Sequence, residues 1–166
     1  MTFYIFRHGE TFVTRDRVGY GPNILDAPIL EEGKEALLRL AVYLKGIKSD
    51  FAVSSEILRC RQTVEIVSKI SGKKFEFDSR LNEFSLNELN NETFEVFLSR
   101  VQSFMNEVKA KKYDSVLICT HGAVIAVLKH LITTGVVSME DIPDYPNPGI
   151  LMIIKDQSVE EISFRD

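Results

Sequence analysis

The stretch Thr2-Phe-Tyr-Ile-Phe-Arg-His-Gly-Glu-Thr11 decides how the rest of the chain is read. Thr2 to Phe6 is short, apolar and aromatic, which suits a buried strand better than a helix. The run then stops at Arg7, His8 and Gly9. Arginine and histidine are costly to bury without partners, and glycine costs backbone entropy unless its freedom is used. In parallel sheets, ligands bind beyond the carboxyl ends of the strands. A permanent cation and an imidazole able to act as a nucleophile therefore stand together at a candidate site.

Working outward, Phe12 to Pro28 holds Gly19, Gly21, Pro22 and Pro28 and reads as an irregular loop. It follows Arg-His-Gly directly, so it is expected to roof the same end of the sheet, with Arg15 and Arg17 solvated. A helix is expected over residues 31–45, with Leu37, Leu40, Ala41 and Leu44 on one face and Gly46 as its stop. Residues 50–53 form a short strand, 56–70 a helix, and 75–77 a brief strand. Residues 92–110 carry the clearest amphipathic pattern, with Phe94, Phe97, Leu98, Val101, Phe104, Met105 and Val108 on one face. That stripe reads as core. Residues 115–119 form a buried strand, and 123–131 a helix apolar nearly all round, hence sandwiched. Residues 149–155 and 159–164 close the chain as a strand pair turning at Asp156-Gln157. Alternating strands and helices imply right-handed crossovers. The expectation is an α/β three-layer sandwich, a mostly parallel central sheet with helices on both faces, in one domain over residues 1–166.

Bulk properties narrow the function. The 45% hydrophobic and 27% charged content of these 166 residues describes an ordinary soluble globular domain. A formal charge of −4 offers no broad basic field, so nucleic acid is not an expected partner. Cys60 and Cys119 lie within apolar patterns and read as buried thiols in a reducing compartment. No basic-then-apolar leader and no bilayer-length apolar run is visible, so a cytoplasmic protein with no membrane partner is expected. Oligomeric state is not legible.

Two more strand ends repeat the pattern of the first. Val53 is followed by Ser54, Ser55 and, in the next helix's first turn, Arg59; Cys119 is followed by Thr120, His121 and Gly122. Helix N-termini favour anions. If these junctions share one edge of a parallel sheet, Arg7, His8, Arg59 and His121 meet in one pocket, where two guanidiniums can grip a phosphoryl group.

At this point the sequence resembles the histidine phosphatase superfamily, the phosphoglycerate mutase-like family. Arg7-His8-Gly9-Glu10-Thr11 is similar to its opening motif, and Ser54-Ser55-Glu56-Ile57-Leu58-Arg59-Cys60-Arg61-Gln62-Thr63 to its second block. Leu81-Asn82-Glu83 resembles the segment holding its acid, and Thr120-His121-Gly122 its last motif. The blocks run in family order. The resemblance implies a phosphohistidine intermediate on a neutral His8, whose other ring nitrogen is oriented by a backbone carbonyl. Arg7, Arg59 and His121 would neutralise the transferring oxygens. Glu83 would protonate the leaving alkoxide and then deprotonate water. The resemblance implies no cofactor and no metal, and the expected partner is a small phosphorylated substrate.

The chain departs from the family in two places. Thr14 stands where many members have an asparagine that touches phosphate, which makes it a weakened or replaced substrate contact. After the acid, Asn87, Asn90 and Asn91 replace a glycine and a Glu-Gly pair, so Glu88 competes with Glu83 as the acid. His130, in a last helical turn, and Arg61 are assigned no chemistry. Fewer than forty residues separate Glu83 from His121, almost all taken by one helix and one strand, leaving little for a lid that shields a phosphoenzyme from water. Hydrolysis is therefore expected over the phosphoglycerate mutase reaction. A phosphohistidine phosphatase, a phosphate-binding module without turnover and a metal-binding protein using His8 and His121 are the other readings.

Overall fold

The computed structural model describes residues 1–85 and 91–166. In chain order the elements are β1 (Thr2–Arg7), α1 (Phe12–Asp16), α2 (Lys34–Lys45), β2 (Phe51–Ser54), α3 (Leu58–Ser71) and β3 (Glu76–Phe77). They continue with α4 (Phe94–Ala110), β4 (Ser115–Thr120), α5 (Gly122–Thr133), β5 (Ile150–Lys155) and β6 (Ser158–Ser163). The strands form one sheet in the order β3-β2-β4-β1-β5-β6. β3, β2, β4 and β1 pair in parallel, whereas β5 runs antiparallel to β1 and β6 antiparallel to β5.

Strand alternation divides the core into two faces. Phe3, Ile5, Val53, Val116, Ile118, Met152 and Ile154 pack with α4 and α5. The intervening Phe6, Ala52, Leu117, Cys119 and Leu151 pack with α2 and α3. Successive strand side chains point to opposite faces, so helices cover the sheet on both sides. β4 lies inside the sheet and is buried along its whole length. The all-apolar opening of α5 has the same cause: Gly122 to Leu128 are all buried, because this helix packs against β1, β5 and α4.

Two local differences from the sequence reading have clear causes. Residues 12–28 are not irregular throughout. Thr11 caps α1 by accepting from the Thr14 backbone N–H, while the Thr14 hydroxyl accepts from the Thr11 N–H. This capping box lacks the usual glutamate, which hid it in the sequence. Near residue 31 the chain makes a 3₁₀ turn over Glu31–Gly33 before α2 begins at Lys34. Gly33 lies so close to Glu10 that a Cβ there would meet the Glu10 Cβ at 2.8 Å, and the Leu30 N–H donates to the Glu10 carbonyl. The turn at Asp156-Gln157 is as expected, with φ of 49° and 67°, the left-handed pair of a two-residue hairpin. Among the described residues, no helix is long and apolar enough to cross a membrane.

Candidate active site

Strand register brings the separated motifs together. Arg7 pairs with Thr120, and Ser54 with Cys119, so β1, β4 and β2 end side by side. The ladder continues one residue further: His8 N–H donates to the Thr120 carbonyl and Ser55 N–H to the Cys119 carbonyl, each at 3.0 Å. His8 and His121 thus leave adjacent strands at the same level, with ring centroids 5.2 Å apart.

His8 is fully buried and rigidly oriented. Its Nδ1 lies 2.8 Å from the Gly9 carbonyl, an acceptor only, so Nδ1 carries the proton and Nε2 presents a lone pair. The Gly9 N–H donates to Thr63 Oγ1, and Thr63 donates to the Arg59 carbonyl one helical turn back. The turn bearing the histidine is thereby pinned to the helix bearing the arginine. A Cβ at Gly9 would come within 2.8 Å of Leu37 Cδ1, so a side chain there would displace Leu37. Burial lowers the His8 pKa well below its ordinary value, and the charges of Arg59 and Arg7 lower it further. The ring is neutral.

Arg59 is also fully buried, its guanidinium 3.9 Å above the Tyr20 ring. One Nη donates to the Ile24 carbonyl, while Nε and the other Nη find no partner in the protein. Arg7 lies 4.9 Å over the Tyr145 ring, and its Nε is likewise unpartnered. His121 Nε2 lies 2.8 Å from Ser55 Oγ, and its Nδ1 has no partner. These four atoms are all of the buried side-chain nitrogens and oxygens without a hydrogen bond among the described residues. Buried polar groups are normally satisfied. Three of the four are guanidinium N–H donors left without an acceptor, an arrangement suited to an anion.

Glu83 reaches the cluster from the segment after β3, its Oε2 3.8 Å from Arg59 Nη2 and 3.7 Å from His121 Nδ1. Both separations exceed a hydrogen bond, so they compensate poorly for desolvation. Burial accordingly raises the Glu83 pKa, outweighing the opposing pull of Arg59 and Arg7. The His121 pKa is lowered well below its ordinary value, by burial first and then by Arg59, His8 and Arg7.

The described structure therefore gathers five of the residues singled out in the sequence: Arg7, His8, Arg59, Glu83 and His121. Thr14 stands in the first turn of α1. Its hydroxyl is committed to Thr11, donating to the carbonyl and accepting from the N–H, and so serves the α1 cap. Glu88, Asn87 and Asn90 lie outside the described residues. His130 lies away from the site, 2.9 Å from Asp144.

Several participants went unread in the sequence. Tyr20, from the roofing loop, reaches His8 Nε2 at 3.4 Å while stacking on Arg59. Arg100, on α4, clamps the acid segment by donating to the carbonyls of Arg80, Asn82 and Glu83, and pairs with Glu92. Tyr145 packs over Gly122, where a Cβ would meet its ring at 2.7 Å. Thr63 alone left a signal, standing four residues after Arg59 and hence on the same helix face.

A family model for the histidine phosphatase superfamily (branch 1) matches residues 3–96 and 85–155. The chain belongs to this superfamily. Among curated relatives, the protein named "Probable phosphoglycerate mutase GpmB" from Shigella dysenteriae is 25% identical over 145 residues, covering 87% of this chain and 66% of the relative. The chain therefore spans a little under two thirds of that relative's length. Among solved structures, the alpha-ribazole phosphatase of Shigella flexneri superposes with a TM-score of 0.77 at 19% identity, covering 96% of this chain and 93% of that one. A phosphoglycerate mutase from Bacillus anthracis gives 0.71 at 19% identity, covering 98% and 92%. At these identities the superpositions establish the superfamily's fold and leave the reaction to the site.

Proposed function

We propose that this superfamily member is a phosphomonoester hydrolase working through a phosphohistidine on His8. The observation that carries the reading is the group of unpartnered buried nitrogens of Arg7, Arg59 and His121 in one site with a neutral His8 whose Nε2 bears the lone pair. His8 Nε2 attacks phosphorus while the P–O bond to the leaving group breaks. The resulting positive charge on the ring strengthens the bond from Nδ1–H to the Gly9 carbonyl. Arg7 and Arg59 balance the charge on the transferring oxygens. Glu83, whose proton burial helps to hold, gives that proton to the departing alkoxide. The carboxylate so formed takes a proton from a water molecule, which attacks the phosphohistidine, releases phosphate and restores both groups.

The cavity beyond Arg7 and Glu83 suggests the leaving group. It has a volume of about 240 Å³ and is walled by Val13, Val18, Phe84, Ala123, Ile142 and Tyr145. Arg7, already committed to the phosphoryl group, is the only cation among its described lining residues, and residues 86–90 contain no Lys or Arg. A glycerate carboxylate would lack a dedicated partner there, whereas an apolar or aromatic alcohol would bury well. The test compares p-nitrophenyl phosphate hydrolysis with phosphoglycerate interconversion. Efficient hydrolysis is expected, and interconversion exceeding hydrolysis would instead support the mutase reading that the GpmB relatives suggest.

Glu83→Gln should separate substrates by leaving group. Alkyl phosphates, whose alkoxides need a proton, should lose about 10²–10⁴-fold in kcat. p-Nitrophenyl phosphate, whose leaving group is weakly basic, should change by less than about tenfold. The active form pairs neutral His8 with protonated Glu83. With an alkyl phosphate, kcat should therefore fall on the acid side only below the ordinary histidine range and on the alkaline side as Glu83 ionises. Equal losses on both substrates would remove Glu83 from the proton transfer.

A further inference from the structure

The hydrogen bonds behind His121 can be assigned without ambiguity. The Glu56 backbone N–H points at the Asn82 side chain, 3.0 Å away, so the atom it meets is Oδ1. Ser55 Oγ lies 2.9 Å from the same Oδ1, an acceptor, and so must donate to it. The Ser55 hydroxyl has one proton, now spent, and two lone pairs. One lone pair accepts from the Ile57 N–H at 3.2 Å; the other faces His121 Nε2 at 2.8 Å. That nitrogen must be the donor. The reverse tautomer would leave two acceptors facing each other at 2.9 Å, and flipping the Asn82 amide would set two donors against each other at 3.0 Å.

We propose that Asn82 and Ser55 hold His121 as the Nε2–H tautomer, so that binding a phosphoryl dianion draws one proton from solution onto Nδ1. In the free protein Nδ1 is buried, bare and unpartnered. A phosphoryl oxygen arriving there would meet lone pair with lone pair. Protonation turns the contact into a charge-assisted N–H···O bond while Nε2–H keeps its bond to Ser55. Asn82 and Ser55 thereby act as positioning residues, setting the proton inventory of the anion site without touching the anion.

The groups around the ring fit this role. Arg7 and His8 face it from the end of β1, Arg59 and Cys60 from α3, Glu83 from the acid segment and Arg100 from α4. The cations keep His121 neutral until a dianion offsets them. Glu83 is not the proton source: it lies 3.7 Å from Nδ1, beyond hydrogen-bond length, and its carboxylate would then confront the bound anion. Cys60 Sγ, 3.5 Å from Nε2, is the weaker neighbour beside the 2.8 Å bond to Ser55.

This inference rests on the anion site of the proposed function, and its test uses sulfate, a tetrahedral dianion that does not titrate near neutrality. The Glu83→Gln background removes the neighbouring carboxyl, and the histidine spectra below distinguish uptake on His121 from uptake on His8. In that protein sulfate affinity should weaken about tenfold per pH unit over the range where free His121 is neutral and bound His121 charged, the signature of one-proton uptake. Adding Ser55→Ala, which frees the ring to present Nδ1–H, should flatten that slope. Nitrogen-proton correlation spectra of the three histidines give a reading that needs no second variant. His121 should be Nε2–H when free and doubly protonated with sulfate, opposite in tautomer to His8. A pH-independent sulfate affinity, or an Nδ1–H signal from free His121, overturns the inference and leaves the hydrolase reading standing. Sulfate that binds at no pH overturns both.

Discussion

Replacing His8 by alanine is expected to lower kcat for p-nitrophenyl phosphate by about 10⁴-fold or more while leaving the fold intact. Neither nearby hydroxyl is free to replace it: the Thr63 hydroxyl is committed to Gly9 and Arg59, and the Ser55 hydroxyl to its three partners. Affinity for inorganic phosphate should change by less than about fivefold, because Arg7 and Arg59 supply the charge that binds it. Loss of turnover with retained phosphate binding separates a catalytic role from a structural one. A variant keeping more than about a tenth of wild-type kcat, a deficit under about 1.4 kcal/mol in the barrier, would exclude covalent catalysis by this residue.

The second large effect carries opposite signs in two measurements. Arg59→Met is expected to cost about 10²–10³-fold in kcat and yet to raise unfolding free energy by about 1–2 kcal/mol. Arg59 is fully buried, its nearest carboxylate oxygen stands at 3.8 Å, and two of its nitrogens lack partners within the protein. A buried cation so poorly compensated costs stability, and methionine can fill its place over the Tyr20 ring. The loss of the donor to the Ile24 carbonyl limits the gain. Thermal or denaturant unfolding of both proteins provides the check. A variant both less stable and fully active would mean that Arg59 holds the fold and not the phosphoryl group.

What could be read from the sequence follows from how local each signal is. The strand of Thr2–Arg7 and the apolar face of α4 are written in consecutive or helically spaced residues, so their elements were legible. Arg7, His8, Arg59 and His121 were legible because each breaks a rule at a strand-to-helix junction, where costly polar groups follow a buried run. Tyr20 and Arg100 gave no such sign. Tyr20 sits in a loop rich in turn residues, and nothing local shows that it crosses beneath Arg59. Arg100 looks like an ordinary surface position of an amphipathic helix, yet it binds three carbonyls from 17 to 20 residues away. Thr14 also caps α1, a role its position in the motif did not reveal. The Ser55–Asn82 connection spans 27 residues and exists only once β2 and the acid segment are in place.

Wild-type protein mixed with p-nitrophenyl phosphate and quenched within the first turnovers, under conditions that preserve acid-labile phosphoramidates, should carry one phosphoryl group on the peptide containing His8. The label should sit on Nε2 and be discharged by water at the rate of steady-state turnover. Full activity with no label on His8, or a label that forms and decays more slowly than turnover, would contradict the account.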